Sequence, residues 1–178
     1  MKTRPAVFLD RDGVINRAIV RDGHPYPPRG VDDLEVLPGV HDALVRLKAA
    51  GFALVVVTNQ PDVARGTLSQ PALRAMHERL TALLPLDEVR VCCHDDTDGC
   101  DCRKPKAGML IRPPLYDLGR SVIVGDRWRD IEAGRRAGCK AAVLIDYGYD
   151  ETLTTEPDVR FRSLAEAADW ILSTLVKV

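Results

Sequence analysis

Two carboxylates stand one residue apart where an apolar run of the sequence ends. The run AVFL, residues 6–9, leads directly into Asp10 and Asp12 within the stretch VFLDRDGV. Paired carboxylates serve as a nucleophile, as a general acid or base, and as ligands of a hard cation such as Mg²⁺. The alternative is structural, because an aspartate after a strand is often a turn or cap residue. The pair alone therefore indicates a candidate site without fixing the reaction.

Four metal-ligating side chains lie close together in the segment VCCHDDTDGCDCRKP. Cys92 and His94 form one pair, and Cys100 and Cys102 form a second. Three sulfurs and an imidazole fit tetrahedral Zn²⁺, so the sequence predicts a structural zinc loop over residues 92–102. The alternatives are reduced cysteines without metal, a disulfide, or a catalytic zinc, for which four protein ligands leave no open position. The cysteines expected to stay outside this site are Cys93 and Cys139.

Further polar side chains follow other apolar runs. Thr58 and Asn59 end the run ALVVV, and Lys104 comes directly after the cysteine cluster. Asp126 ends the run SVIVG, and Asp130 follows one helical turn later. A hydroxyl, an ammonium and carboxylates suit the binding of a phosphate and its metal ion. Taken singly, each has a simpler role as a core threonine, a solvated lysine or a helix cap, but one such role does not explain all of them.

The elements that must position these residues alternate between strand and helix patterns. The predicted strands are AVFLD, FALVVVTN, EVRVCC, SVIVGD and KAAVLID. The predicted helices cover residues 40–51, 69–84, 128–138 and 163–176, with a proline-broken helix over residues 106–119. This alternation predicts a three-layer α/β/α fold around a mostly parallel, Rossmann-like sheet. Ligands bind at the carboxyl ends of such strands, where the candidate residues lie.

Four segments in this order resemble the motifs of the haloacid dehalogenase superfamily. They are DRDGV at residues 10–14, VVVTN at 55–59, RKP at 103–105 and VGDRWRD at 124–130. The resemblance implies a Mg²⁺-dependent phosphatase. The segments between its motifs are filled by ordinary elements and the zinc loop, so we expect no cap domain.

The resemblance also implies that Asp10 is the nucleophile that forms an aspartyl-phosphate and that Asp12 is the general acid and base. The resemblance places Thr58 and Lys104 on the phosphoryl oxygens. It gives Mg²⁺ as ligands Asp10, the backbone carbonyl of Asp12, and Asp126, with Asp130 binding either the metal or its waters.

Within the superfamily, the zinc loop is similar to a branch that contains heptose-bisphosphate and histidinol-phosphate phosphatases. The stretches GFALVVVTNQ, ARG, CDCRKP followed by AGML, and ADWIL are nearer to the first group. The departures are Pro61-Asp62 in place of Ser-Gly, a short zinc loop as in the histidinol enzymes, and Arg127 in place of a lysine. We expect removal of the 7-phosphate of D-glycero-D-manno-heptose 1,7-bisphosphate. The alternatives are histidinol-phosphate hydrolysis and a non-catalytic zinc module that binds phosphorylated ligands.

A bisphosphate sugar requires polar side chains beyond the reacting phosphate. Residues 15–32 are expected to form a flap over an open site. The candidates to hold the sugar or its distal phosphate are Asn59, Arg65, Arg103 and Arg127.

The composition excludes several other functions. The chain has 178 residues, which predicts one domain, and its 25 basic and 26 acidic residues give a net charge of −1. This balance disfavours general binding to nucleic acid or to an anionic membrane. No apolar stretch in the sequence approaches the length of a membrane span. We therefore expect a monomeric cytoplasmic enzyme that acts on a small sugar phosphate.

Overall fold

The computed structural model describes residues 3–176. Its main sheet has six strands in the order β5-β4-β1-β6-β7-β8, and every neighbouring pair is parallel. The strands are β1 Ala6–Leu9, β4 Ala53–Asn59, β5 Glu88–Cys92, β6 Val122–Gly125, β7 Ala141–Ile145 and β8 Val159–Phe161, with a separate antiparallel hairpin of β2 Ile19–Arg21 and β3 His24–Tyr26. The helices are α1 Val40–Ala49, α2 Gln70–Leu83, α3 Gly108–Ile111, α4 Trp128–Ala137 and α5 Leu164–Leu175.

Both faces of the sheet are covered because alternate strand residues point to opposite sides. Val7 and Leu9 of β1 face the side that packs against α1 and α5. Phe8 faces the other side, where Met109 of α3 and Ile131 of α4 complete a second apolar cluster. The predicted three-layer α/β/α class with a parallel sheet is therefore confirmed.

The helix starts follow from local sequence. The Ser69 hydroxyl accepts a hydrogen bond from Ala72 N at 3.2 Å at the start of α2, and Ser163 accepts one from Glu166 N at 3.2 Å at the start of α5. The predicted proline-broken helix over residues 106–119 was too long, because only Gly108–Ile111 is α-helical and the chain then enters Pro113-Pro114. The hairpin β2-β3 and the short strand β8 were not predicted.

The strand order places the candidate residues together. Strands β4, β1 and β6 are neighbours, so the residues at or after their carboxyl ends share one edge of the sheet. These residues are Thr58 and Asn59 in β4, Asp10 after β1 and Asp126 after β6. Asn59 also pairs with Cys92 at the end of β5, which places the cysteine cluster beside the same edge.

Within residues 3–176, none of the helices combines the length and apolar character needed to cross a membrane.

Candidate active site

Three buried carboxylates meet at the carboxyl end of the sheet. Asp10 follows β1, Asp126 follows β6, and Asp130 lies in the first turn of α4. One oxygen from each lies within 4.8 Å of the other two, and the residues are only 8%, 5% and 2% exposed. The structure therefore brings together the carboxylates that the sequence motifs singled out.

Two glycines make this close approach of carboxylates sterically feasible. A Cβ on Gly13 would lie 2.1 Å from Asp126 Oδ2, and the φ angle of +90° at Gly13 also favours glycine. A Cβ on Gly125 would lie 2.1 Å from the Cβ of Asp130. The glycines in DRDGV and VGDRWRD are thus required by the packing of the acidic side chains.

Lys104 supplies the counter-charge inside the acidic group. Its Nζ donates to Asp10 Oδ1 at 2.8 Å, to Asp130 Oδ1 at 2.5 Å and to the Val57 carbonyl at 2.7 Å. Burial disfavours the ammonium, but the charges of Asp10 and Asp130 outweigh this effect and raise the pKa of Lys104. The lysine is therefore a fixed cation in contact with the candidate nucleophile.

One ammonium does not balance three carboxylates. Burial, with the charges of Asp130 and Asp12, raises the pKa of Asp10 to about 6 against the opposing effect of Lys104. The pKa of Asp126 is raised well above its usual value, first by burial and then by Asp10 and Asp130. Neither Asp126 side-chain oxygen has a well-formed hydrogen bond among the described residues, although the nearby Tyr149 hydroxyl opposes the rise in the pKa of this carboxyl group. Orphaned, closely spaced carboxylate oxygens fit a hard divalent cation such as Mg²⁺.

The carboxylate of Asp12 is fixed by four hydrogen bonds. Arg11 donates to it through Nε and Nη2, each at 3.0 Å. Asn16 Nδ2 donates to Oδ1 at 2.9 Å, and Gln60 Nε2 donates to Oδ2 at 2.8 Å. Gln60 Nε2 also contacts Thr58 Oγ1 at 2.9 Å, so one amide links two of the predicted site residues.

Arg11 connects Asp12 to helix α2. The arginine is fully buried, and its Nη1 lies 3.1 Å from His77 Nε2. Burial and then the charge of Arg11 lower the pKa of His77 to about 4. The sequence signal for Arg11 is its place between two aspartates, but nothing local in the sequence indicates His77 as its partner.

Asn59 lines the site cavity and also holds the backbone of Lys104. Its Oδ1 accepts from Lys104 N at 3.0 Å, and its Nδ2 donates to Lys104 O at 3.0 Å. Both ends of the amide are therefore used within the protein. The contact orients the segment that carries the lysine, a role that the sequence interpretation of Asn59 as a substrate contact did not include.

A polar cavity of about 360 Å³ opens above the acidic group. Its wall includes the predicted residues Asn59, Arg65, Arg103 and Arg127, together with Arg129. Arg129, in the first turn of α4, was not recognised from sequence. Arg127 forms an ion pair with Glu151, a contact made from a distant part of the chain. His24 and Tyr26 of the hairpin also line the cavity, as expected for part of the flap over residues 15–32.

The four predicted zinc ligands form a compact group. Cys102 Sγ lies 3.2 Å from Cys92 Sγ, and Cys100 Sγ lies 3.7 Å from Cys92 Sγ. His94 Nδ1 lies 3.5 Å from Cys92 Sγ and 3.3 Å from Cys102 Sγ. A tetrahedral Zn²⁺ with Zn–S bonds of about 2.3 Å separates its ligand atoms by roughly 3.3–3.8 Å. The side chains present therefore fit a closed zinc site.

The remaining cysteines lie elsewhere. Cys93 packs beside Leu73 of α2, and Cys139 packs in the apolar cluster beneath α4. Burial raises the pKa of Cys139 to about 12, in keeping with a small core residue. All five cysteines are free of disulfides.

The fold and the acidic site define a haloacid dehalogenase-type phosphatase. A family model described as "HAD-hyrolase-like" matches residues 101–175. The D-glycero-beta-D-manno-heptose-1,7-bisphosphate 7-phosphatase of Escherichia coli K12 is 36% identical, covering 98% of this chain and 91% of that protein. The D-glycero-D-manno-heptose-1,7-bisphosphate 7-phosphatase of Thermosynechococcus vestitus is 35% identical over 97% of each chain.

A crystal structure of another heptose bisphosphate phosphatase also matches this chain. The D,D-heptose 1,7-bisphosphate phosphatase of B. bronchiseptica, complexed with magnesium and phosphate, is 32% identical with a TM-score of 0.77. The match covers 95% of this chain and 98% of that one. This chain therefore belongs to the family of D-glycero-D-manno-heptose-1,7-bisphosphate 7-phosphatases, which confirms the resemblance drawn from its motifs.

The contact between Arg11 and His77 predicts a pH dependence of stability. With a pKa of about 4 when folded and 6.5 when unfolded, His77 binds fewer protons in the folded state between those pH values. Its contribution to stability is therefore complete above pH 6.5 and is lost as the pH falls towards 4. In urea denaturation, wild type should lose stability relative to His77→Gln over this range. His41→Gln, on the exposed face of α1, is the control for the loss of one histidine. If the difference in the free energy of unfolding between wild type and His77→Gln does not change with pH, His77 is not buried as a neutral imidazole.

Proposed function

We propose that this protein hydrolyses the 7-phosphate of D-glycero-D-manno-heptose 1,7-bisphosphate through an aspartyl-phosphate on Asp10. The observation that carries the proposal is the position of Asp10, which is buried in contact with Lys104 and opens onto an arginine-lined cavity. A carboxylate nucleophile divides hydrolysis into formation and breakdown of an acyl-phosphate, each easier than direct attack by water. The names of the relatives support the choice of substrate.

The protein groups around the phosphate have separate roles in the proposed mechanism. Asp10 attacks phosphorus in line with the leaving sugar oxygen, while Lys104 and Thr58 hold the equatorial oxygens. Asp12 gives a proton to the leaving oxygen and later takes one from the water that cleaves the acyl-phosphate. Its four hydrogen bonds hold the carboxylate that accepts the proton from water, and the acid form that protonates the leaving oxygen requires one of these donors to release its contact.

Mg²⁺ fits the acidic group and would neutralise charge between the carboxylates and the phosphate. We propose Asp10, Asp126 and the backbone carbonyl of Asp12 as its protein ligands. Asp130 already accepts from Lys104 Nζ and, through Oδ2, from Arg127 N at 3.1 Å. We therefore assign Asp130 the task of orienting Lys104 and the waters of the metal.

Zn²⁺ fits the cluster of Cys92, His94, Cys100 and Cys102 in a structural role. The last ligand is two residues from Lys104, so the closed loop would fix the start of the phosphate-binding segment. A single domain over residues 1–178, a monomeric state and a cytoplasmic location stay predictions from the sequence.

Histidinol phosphate is the competing substrate, since the departures at Pro61-Asp62 and the short zinc loop resemble enzymes that use it. A steady-state comparison should give a kcat/KM for heptose 1,7-bisphosphate about 100-fold above that for histidinol phosphate, because the arginine wall matches a second phosphate. A panel of sugar phosphates and nucleotides completes the comparison. A preference for histidinol phosphate would contradict the assignment of the heptose substrate. The absence of phosphate release from every compound would contradict the phosphatase activity itself.

Isosteric substitutions test the roles of the two aspartates. Asp12→Asn should lower kcat by about 10²–10⁴-fold, the usual contribution of a general acid and base. Asp10→Asn should abolish the acid-stable phosphoryl adduct that mass spectrometry detects on the quenched wild type. Asp169→Asn, at an exposed position of α5, should leave kcat unchanged. Turnover by Asp10→Asn at the wild-type rate would show that another group attacks the phosphate.

Metal analysis tests the cluster separately. The purified protein should contain one zinc per chain, and Cys100→Ser should lose it because one of four ligands is gone. The free energy of unfolding should fall by about 3 kcal/mol or more. Cys93→Ser is the matched control, next to a ligand but outside the cluster, and should retain the metal. Full zinc occupancy in Cys100→Ser would contradict the ligand set.

A further inference from the structure

Three arginines from separate parts of the chain line the same cavity. Arg65 lies in the loop after β4, Arg103 follows the cysteine cluster, and Arg129 lies in the first turn of α4. Guanidinium groups recognise phosphate with paired donors in a fixed plane. Because nothing in the local backbone connects these arginines, a separate contact must determine where their flexible side chains point.

That contact comes from two adjacent aspartates of the loop that holds the cysteine cluster. Asp95 accepts from Arg65 Nε at 2.7 Å and Nη2 at 2.6 Å. Asp96 Oδ1 accepts from Arg103 Nε at 2.8 Å and from Arg129 Nη1 at 3.2 Å. Two neighbouring carboxylates therefore fix all three guanidinium groups.

The aspartates are themselves fixed by the backbone. Asp95 Oδ1 accepts from Asp96 N at 2.7 Å, and Asp98 Oδ2 accepts from Asp95 N at 2.7 Å, which closes a 3-10 turn over Asp96–Asp98. The turn lies between His94 and Cys100, so the cluster anchors the chain on both sides of it. The cluster therefore fixes the turn, the turn fixes the carboxylates of Asp95 and Asp96, and these carboxylates fix the arginines.

Each arginine keeps donors for a ligand. A guanidinium carries five N–H groups, and the contacts with Asp95 and Asp96 use one or two nitrogens of each. An arginine already held in place loses less conformational freedom when an anion binds than a mobile one does.

We propose that Asp95 and Asp96 are positioning residues for substrate discrimination. They hold the cavity arginines, Arg129 included, as a preformed subsite for the second phosphate of the substrate. This inference rests on the proposed function, because it assumes that a bisphosphate is the substrate. The zinc loop over residues 92–102 would then contribute to substrate recognition as well as to the positioning of Lys104.

Asp95 and Asp96 could instead compete with the substrate for the arginines, and this alternative predicts the opposite change in KM. If the carboxylates compete with the substrate for the arginines, their removal strengthens binding of the bisphosphate. If they position the arginines, their removal weakens it. The sign of the change in KM therefore decides between the two.

The test compares Asp96→Asn with wild type on heptose 1,7-bisphosphate and on heptose 7-phosphate, which carry the same reacting phosphate. We expect KM for the bisphosphate to rise about tenfold with kcat within about twofold. The kinetic constants for the 7-phosphate should stay within about twofold of wild type. Asp101→Asn is the matched control in the same loop, because Asp101 pairs with Arg112 at 3.8 Å and lines another cavity.

Arg129→Gln provides a second, independent variant. It should raise KM for the bisphosphate in the same way, and the double variant with Asp96→Asn should add little, because both remove one arrangement. If Asp96→Asn loses zinc or folds poorly, Asp95→Asn, which releases Arg65, replaces it in the same comparison. A fall in KM for the bisphosphate, or an equal rise for both substrates, overturns the inference.

The wild type separates this inference from the proposed function. Equal kcat/KM for the two heptose phosphates would show that no second-phosphate subsite exists and would overturn the inference while the phosphatase activity stands. If neither compound is hydrolysed, the proposed substrate fails. In that case the comparison uses the phosphomonoester that the wild type prefers and the derivative of that compound that lacks its second anionic group. An equal change in KM for both compounds in Asp96→Asn overturns the inference.

Discussion

Repulsion among three buried carboxylates governs the design of this site. Two unit charges about 4 Å apart interact by roughly 4 kcal/mol at an effective dielectric constant of 20, and Asp10, Asp126 and Asp130 form three such pairs. Lys104 contacts Asp10 and Asp130 but not Asp126, for which the described residues supply no cation. The protein therefore holds a charge arrangement that is complete only with a cation.

The remaining polar residues keep this arrangement rigid. Asn59 binds the backbone of Lys104 through both ends of its amide, and Arg11 binds Asp12 through two nitrogens. Gln60 joins Asp12 to Thr58. Groups that act on a reacting phosphate must be held before the substrate arrives, because reorganisation during the reaction raises the barrier. The structure therefore uses residues outside the reaction to limit the freedom of those within it.

Sequence reasoning was strongest where a residue's position follows from a strand end. Asp10, Thr58 and Asp126 were recognised because parallel strands bring their carboxyl ends to one edge, whatever the exact strand order. The cysteine spacing likewise identified all four members of the cluster. The same patterns predicted five of the six strands of the main sheet and four of the helices closely.

Contacts between side chains that are distant in the sequence could not be predicted. The pairing of Arg11 with His77 depends on how α2 crosses the sheet, and the place of Arg129 in the cavity depends on the rotation of α4. Neither is encoded in a local pattern. The hairpin Ile19–Tyr26 has only three residues in each strand, too few for a periodic signal. The proline-broken helix predicted over residues 106–119 is reduced to the short α-helix Gly108–Ile111 before Pro113-Pro114.

Strand β5 lies at one edge of the sheet and ends at Cys92, the first member of the cysteine cluster. An edge strand offers unpaired backbone groups to any passing chain, and Val91 on this strand is 39% exposed. A closed cluster ties the strand's last residue to the loop that follows and so limits fraying. Loss of the cluster would remove this tie and leave the end of the edge strand open to pairing with another chain.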